Sequence, residues 1–164
     1  MTMAEDSSPD WDERAAAAGI VIPEPLPAQP LFPGAVIDGS TAYTSGIVAV
    51  EGPPWKMVYA GSVGDDISVE DAQKSAALAM VCTLANLKGA LGGSLNRVDR
   101  FVKLMGFVRC RADFMQAPNV INGASEVLLN IFGQDRLPAR SAIGVAALPG
   151  GASVEIDAVV RLRD

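Results

Sequence analysis

Residues 137–163 constrain this chain more than any other stretch: LPARSAIGVAALPGGASVEIDAVVRLR. Two apolar runs, 142–148 and 152–162, flank the turn signal Pro149-Gly150-Gly151. In the second run Val154, Ile156, Ala158 and Val160 alternate with Glu155, Asp157, Val159 and Arg161. Successive side chains of a strand point to opposite faces, so this run predicts a strand with one face more polar than the other. The first run is apolar on both sides of the alternation, as in a more interior strand. Together they read as a hairpin, with Arg140 where the first strand begins and Glu155 just inside the second. Whether this cation and this anion share a pocket decides the functional reading.

Composition narrows the chemistry. A chain of 164 residues, 49% hydrophobic, suits one domain with a proper core. There is no histidine, which excludes a histidine base, a histidine ligand and any Ser-His-Asp triad. Acid–base chemistry falls to carboxylate, lysine, tyrosine, cysteine or ordered water. The net charge of -6 opposes a general polyanion binder, so a nucleic-acid partner is not expected. Cys82 and Cys110 are too few for a disulfide scaffold and lack metal-ligand spacing; they read as small buried thiols. The amino terminus is acidic where a secretory signal carries lysines, and no 18-residue apolar span follows. The expectation is a soluble cytoplasmic protein without a membrane partner.

Ser8-Pro9-Asp10 is placed to start a short helix running to Ala18, an appendage to the main domain. Pro23, Pro25, Pro27, Pro30 and Pro33 then impose an extended connector. Residues 1–34 form this extension and 35–164 the domain proper. Strands are predicted over 35–37, 41–50 and 56–60, with Asp38-Gly39 as a hairpin turn. Ser68 and Asp71 resemble a capping box that opens a long helix to about Leu91, stopped by Gly92-Gly93. Ala72, Ser75, Ala76, Ala79, Met80, Thr83 and Leu87 give this helix a small-residue face able to lie close on a sheet. A strand over 100–111 is apolar on both faces and so is expected to be covered on both. A second helix spans 118–132, although Gly123 weakens it. The order β-β-β-α-β-α-β-β favours an α+β architecture, one mixed sheet packed against two helices.

Four stretches together resemble the RidA family, also called the YjgF or L-PSP endoribonuclease family. They are Thr44-Ser45-Gly46; Asn122 with Glu126; Pro138-Ala139-Arg140-Ser141 followed by Val145 and Leu148-Pro149; and Val154-Glu155-Ile156-Asp157-Ala158. The resemblance implies a chorismate-mutase-like fold and a homotrimer with clefts between subunits. It implies hydrolysis of small 2-imino or 2-enamino carboxylic acids to 2-keto acids and ammonia, with no metal or cofactor. Residue by residue, Arg140 matches the arginine that holds the substrate carboxylate, and Glu155 the glutamate that places the attacking water. Ser45 matches a pocket serine and Asn122 an asparagine lining the cleft. The chemistry suits these types: guanidinium is a rigid fork for a carboxylate, and an iminium carbon needs little beyond a positioned water.

The chain also departs from that pattern. Ala142 stands where typical members often carry cysteine, and Gly144 where they often carry glutamate. The family's amino-terminal pocket tyrosine has no clear equivalent; Leu31 and Phe32 are nearest. These departures predict a divergent subgroup with its own substrate. Two other readings stay open: a non-catalytic module that binds a keto acid, and an endoribonuclease or RNA-binding protein. A salt bridge between Arg140 and Glu155 that merely fixes the hairpin is a further, purely structural reading of that pair.

Overall fold

The computed structural model describes residues 9–163. The elements run α1 (Trp11–Ala17), β1 (Ala35–Asp38), β2 (Thr41–Thr44), β3 (Ile47–Val48), β4 (Val50–Glu51), β5 (Lys56–Met57), α2 (Val69–Ala90), β6 (Val98–Arg109), α3 (Ala117–Phe132), β7 (Ala139–Val145) and β8 (Val154–Leu162). The fold is α+β, with one mixed sheet packed against α2 and α3. The sheet order is β1-β2-β8-β6-β7, with β3 joining β8, while β4 and β5 form a separate ribbon. Only the β6–β7 pair is parallel among these strand pairs.

Three expectations are corrected. First, β7 and β8 are not a hairpin. Pro149–Gly151 does reverse the chain through a short 3-10 turn, but β6 lies between the two strands, pairing Val108 with Gly144 on one side and Val154 on the other. β6 is the longest strand and its inward residues Phe101, Leu104 and Val108 are fully buried, which favours the sheet centre. Second, the predicted strand 41–50 is broken at Ser45-Gly46, and among the described residues five short strands rather than three precede α2. Third, among the described residues β6 is covered on one face only. Its Met105 and Phe107 stay half-exposed on the other face, beside Tyr43, Val36 and Ile143, which are 47%, 51% and 42% exposed.

The helices follow their sequence signals closely. The Ser68 side chain caps α2 by accepting from the Asp71 N–H at 3.1 Å, and Leu91 closes its far end. Its small residues lie in the core as expected. Gly123 of α3 abuts Gln73 of α2, where a Cβ would overlap the Gln73 carbonyl oxygen. The residue that weakens the helix by propensity is therefore what lets α2 and α3 approach. α1 begins later than expected, with Asp10 as its cap; Ser8 lies outside the described residues. Trp11 of α1 is fully buried, donates its Nε1–H to the Val98 carbonyl at 2.8 Å and packs on Phe132 at 5.0 Å. α1 is thus seated in the main core.

Candidate functional site

Arg140 is the second residue of β7, in register with Leu104, whose side chain faces the helices. The guanidinium reaches α3. It donates to Asn122 Oδ1 at 2.8 Å, to Ser125 Oγ at 2.8 Å and to the Pro118 carbonyl at 3.3 Å. Residues 118, 122 and 125 lie on one face of a helix, which is why all three meet one side chain. All of these acceptors are neutral, and among the described residues no carboxylate pairs with Arg140. The guanidinium is exposed, oriented and uncompensated.

Glu155 is the second residue of β8. Its neighbours Val154 and Ile156 are fully buried under the helices, so alternation sends Glu155 to the opposite face. Arg140 and Glu155 therefore stand on opposite faces of the sheet, and the salt-bridge reading of the pair is corrected. Glu155 pairs in register with Val48 of β3 and Phe107 of β6. Its carboxylate lies against Gly46, where a Cβ would overlap Glu155 Oε1. Gly46 is thus the space that Glu155 occupies. Burial first, and then the charge of Asp157, push the Glu155 carboxyl above its ordinary value. Burial does the same to Asp157.

Glu155 borders a cavity of about 280 Å³, walled by the proline-rich connector, β3 and the turn before β8. Two anchors hold the connector there. Asn86 of α2 accepts from the Leu26 N–H at 2.9 Å. Ser45 donates its hydroxyl to the Pro33 carbonyl at 2.6 Å and its N–H to the Gly34 carbonyl at 3.0 Å. Ser45, next to Gly46, is thus near Glu155 in space, but its proton is engaged with the backbone. Phe32 lines the cavity, whereas Leu31 is 95% exposed and does not. Of these two residues, Phe32 is the one at the cavity.

The structure brings Asn122 to Arg140 and Ser45 to the connector that walls the Glu155 cavity, and it keeps the two groups apart. Sequence reasoning missed Ser125 and Asn86. The first stands three residues beyond Asn122, on the same helical face. The second is a buried amide in an otherwise small and apolar helix face, and an amide buried there signals a fixed polar partner. The basic residues around β6 are engaged locally. Arg109 donates to the Gly151 carbonyl, Arg100 to the Asp135 carbonyl, and Arg111 pairs with Asp113. Cys82 is buried and Cys110 half-buried, with both thiols pushed up by burial.

The chain belongs to the family described as "YjgF/chorismate mutase-like, putative endoribonuclease", whose family model matches residues 12–151. Among solved structures, the chain is similar to a protein of unknown function from Agrobacterium tumefaciens. The two are 36% identical, with a TM-score of 0.85 and 94% of each chain covered. Among curated proteins, it is 32% identical over 142 residues to a 2-iminobutanoate/2-iminopropanoate deaminase from Dermatophagoides farinae, covering 85% of this chain and 94% of that protein. It is 40% identical over 105 residues to Protein TCP17 of Trypanosoma cruzi, a match covering 63% of this chain and 65% of that relative. Among the described residues no helix is long and apolar enough to cross a membrane.

Proposed function

We propose that this chain hydrolyses a 2-imino or 2-enamino carboxylic acid to the 2-keto acid and ammonia. The observation that carries the reading is Arg140: a guanidinium held in place by neutral acceptors alone, and so free to take a carboxylate through its fork. Likeness to the mite deaminase supports the reaction class. Asn122 and Ser125 orient the fork rather than neutralise it.

Glu155 supplies the other half. A carboxylate whose pKa is raised is a better base near neutral pH than an ordinary one. It takes a proton from water as the oxygen adds to C2 of the iminium, forming a carbinolamine. The proton is then passed to nitrogen, Glu155 takes the hydroxyl proton as the C–N bond breaks, and the keto acid leaves with ammonia, which carries that last proton away as ammonium. Ser45 keeps the connector over Glu155, and Gly46 keeps the carboxylate in position.

Because Arg140 and Glu155 occupy opposite faces, a single site needs both halves from different copies of the chain. A homotrimer with clefts between subunits satisfies this. The uncovered sheet face, with Val36, Tyr43 and Ile143 exposed, is the surface we assign to that contact. The subunit is then cytoplasmic and acts on a small molecule.

The test is ammonia release from 2-iminobutyrate or 2-aminoacrylate generated in place by a dehydratase, with semicarbazide trapping the remaining imine. Acceleration by wild type and not by Arg140→Ala is expected. A normal rate from Arg140→Ala overturns the mechanism.

A further inference from the structure

The walls of the Glu155 cavity carry more information than the reaction class. They are apolar almost throughout: Leu26, Pro27, Phe32, Ile47, Val48 and Pro149. Glu155 is the one charged side chain among its lining residues. The wall is a built one, since Asn86 and Ser45 pin the connector at both ends of the stretch that lines it. Asn86 is itself only 7% exposed. A connector tied at two buried or half-buried polar anchors holds an opening that would otherwise collapse on its own apolar side chains.

Resting on the reading above, we propose that this cavity receives the substrate side chain and selects 2-imino acids with a bulky apolar group, aromatic or branched, over those with methyl or ethyl. Size is the first ground. A water molecule's share of liquid volume is about 30 Å³. A methyl or ethyl group would therefore leave most of a cavity of about 280 Å³ to water. A ring or branched chain displaces that water and buries its own surface against Phe32, Val48 and Pro149. Charge is the second ground. A side-chain carboxylate would meet Glu155, so imines of acidic amino acids are disfavoured. Phe32 is the third. It keeps 51% of its surface exposed at the rim and offers an aromatic edge to an incoming ring.

The experiment uses the full chain with imines released from alanine, leucine, phenylalanine and glutamate by an amino-acid oxidase in the presence of catalase. The expected result is a kcat/KM for the phenylalanine or leucine imine at least about 10-fold above the alanine imine, since one methylene in an apolar pocket is worth that much. Ala28→Trp fills the cavity from its exposed rim and should collapse this ratio toward unity. Turnover of the alanine imine with no preference for the larger ones overturns this inference and leaves the proposed reaction standing. If no imine is turned over, the proposed reaction fails, and calorimetric titration decides the cavity separately. Tighter binding of phenylpyruvate than pyruvate, weakened by Ala28→Trp, upholds an apolar side-chain pocket. Equal or absent binding of the two rejects it.

Discussion

Arg140 and Glu155 flank the same central strand, yet they emerge on opposite faces of the sheet. Arg140 is in register with Leu104 and turns toward α3; Glu155 is in register with Phe107 and turns away from the helices. The odd step between Leu104 and Phe107 reverses the pleat, and no side-chain rotation undoes it. Neutral acceptors surround the arginine, and an apolar cavity lies beside the glutamate.

This geometry predicts complementation between impaired chains. Arg140→Ala and Glu155→Ala should each be strongly impaired alone at substrate concentrations well below KM. Mixed, unfolded and refolded together, they should recover about a quarter of wild-type activity, because random trimers place an intact arginine opposite an intact glutamate at some interfaces. Recovery at the level of the separate variants would show that one chain supplies both groups.

The fork matters as well as the charge. Arg140→Ala should lower kcat/KM about 10- to 100-fold, from loss of a charged hydrogen bond of about 1.5–3 kcal/mol, mostly through KM. Arg140→Lys should fall well short of wild type, since a lysine cannot satisfy Asn122, Ser125 and a substrate carboxylate in one plane. Steady-state kinetics of the three proteins decide it.

Glu155 carries a stability penalty with a defined sign. Its folded pKa is raised, so over the window above the ordinary carboxylate value the folded chain holds a proton that the unfolded chain releases. Stability falls as pH rises through that window, and the penalty is fully present once both states are ionised. Glu155→Gln should therefore melt higher than wild type at neutral pH, while its kcat falls. The two melting curves should converge below about pH 4, where the wild-type carboxyl is protonated in both states. An equal or lower melting temperature at pH 7 counts against this account.

The core makes two sharper demands. Trp11→Ala should destabilise by about 3–5 kcal/mol, the usual cost of removing a large buried aromatic, although α1 lies far from Arg140 and Glu155 in sequence. Gly123→Ala should cost about 1–3 kcal/mol despite the better helix propensity of alanine, because its Cβ meets Gln73 backbone rather than a movable side chain. Chemical denaturation of both variants measures this.

Oligomeric state offers an independent check. A charge placed on the open face, as in Ile143→Asp, should turn a trimer into a monomer in sedimentation and abolish activity while leaving Arg140 and Glu155 in place. A trimer that survives it would put the contact elsewhere.

Local signals in the chain were enough for much of this. The Ser68 cap, the small-residue face of α2, the Asp38-Gly39 turn and the alternation of β8 depend on neighbours a few positions away, and each is present in the structure. The motif around Arg140 and the closing strand around Glu155 also marked the family correctly. Non-local choices were out of reach. Pro149–Gly151 reads as a hairpin turn, but the insertion of β6 between β7 and β8 depends on which strand best fills the sheet centre. Residues 41–50 read as one strand, but Ser45 and Gly46 leave it to bind the connector and to clear Glu155. Sequence by itself determined the helices and the alternation along the strands, because those follow from periods of two and 3.6 residues, and through the family resemblance it named the candidate site residues. Only tertiary structure decided which face each residue occupies, what holds the connector over the cavity, and that the cation and the anion do not meet within one chain, because strand order and long-range packing have no local code.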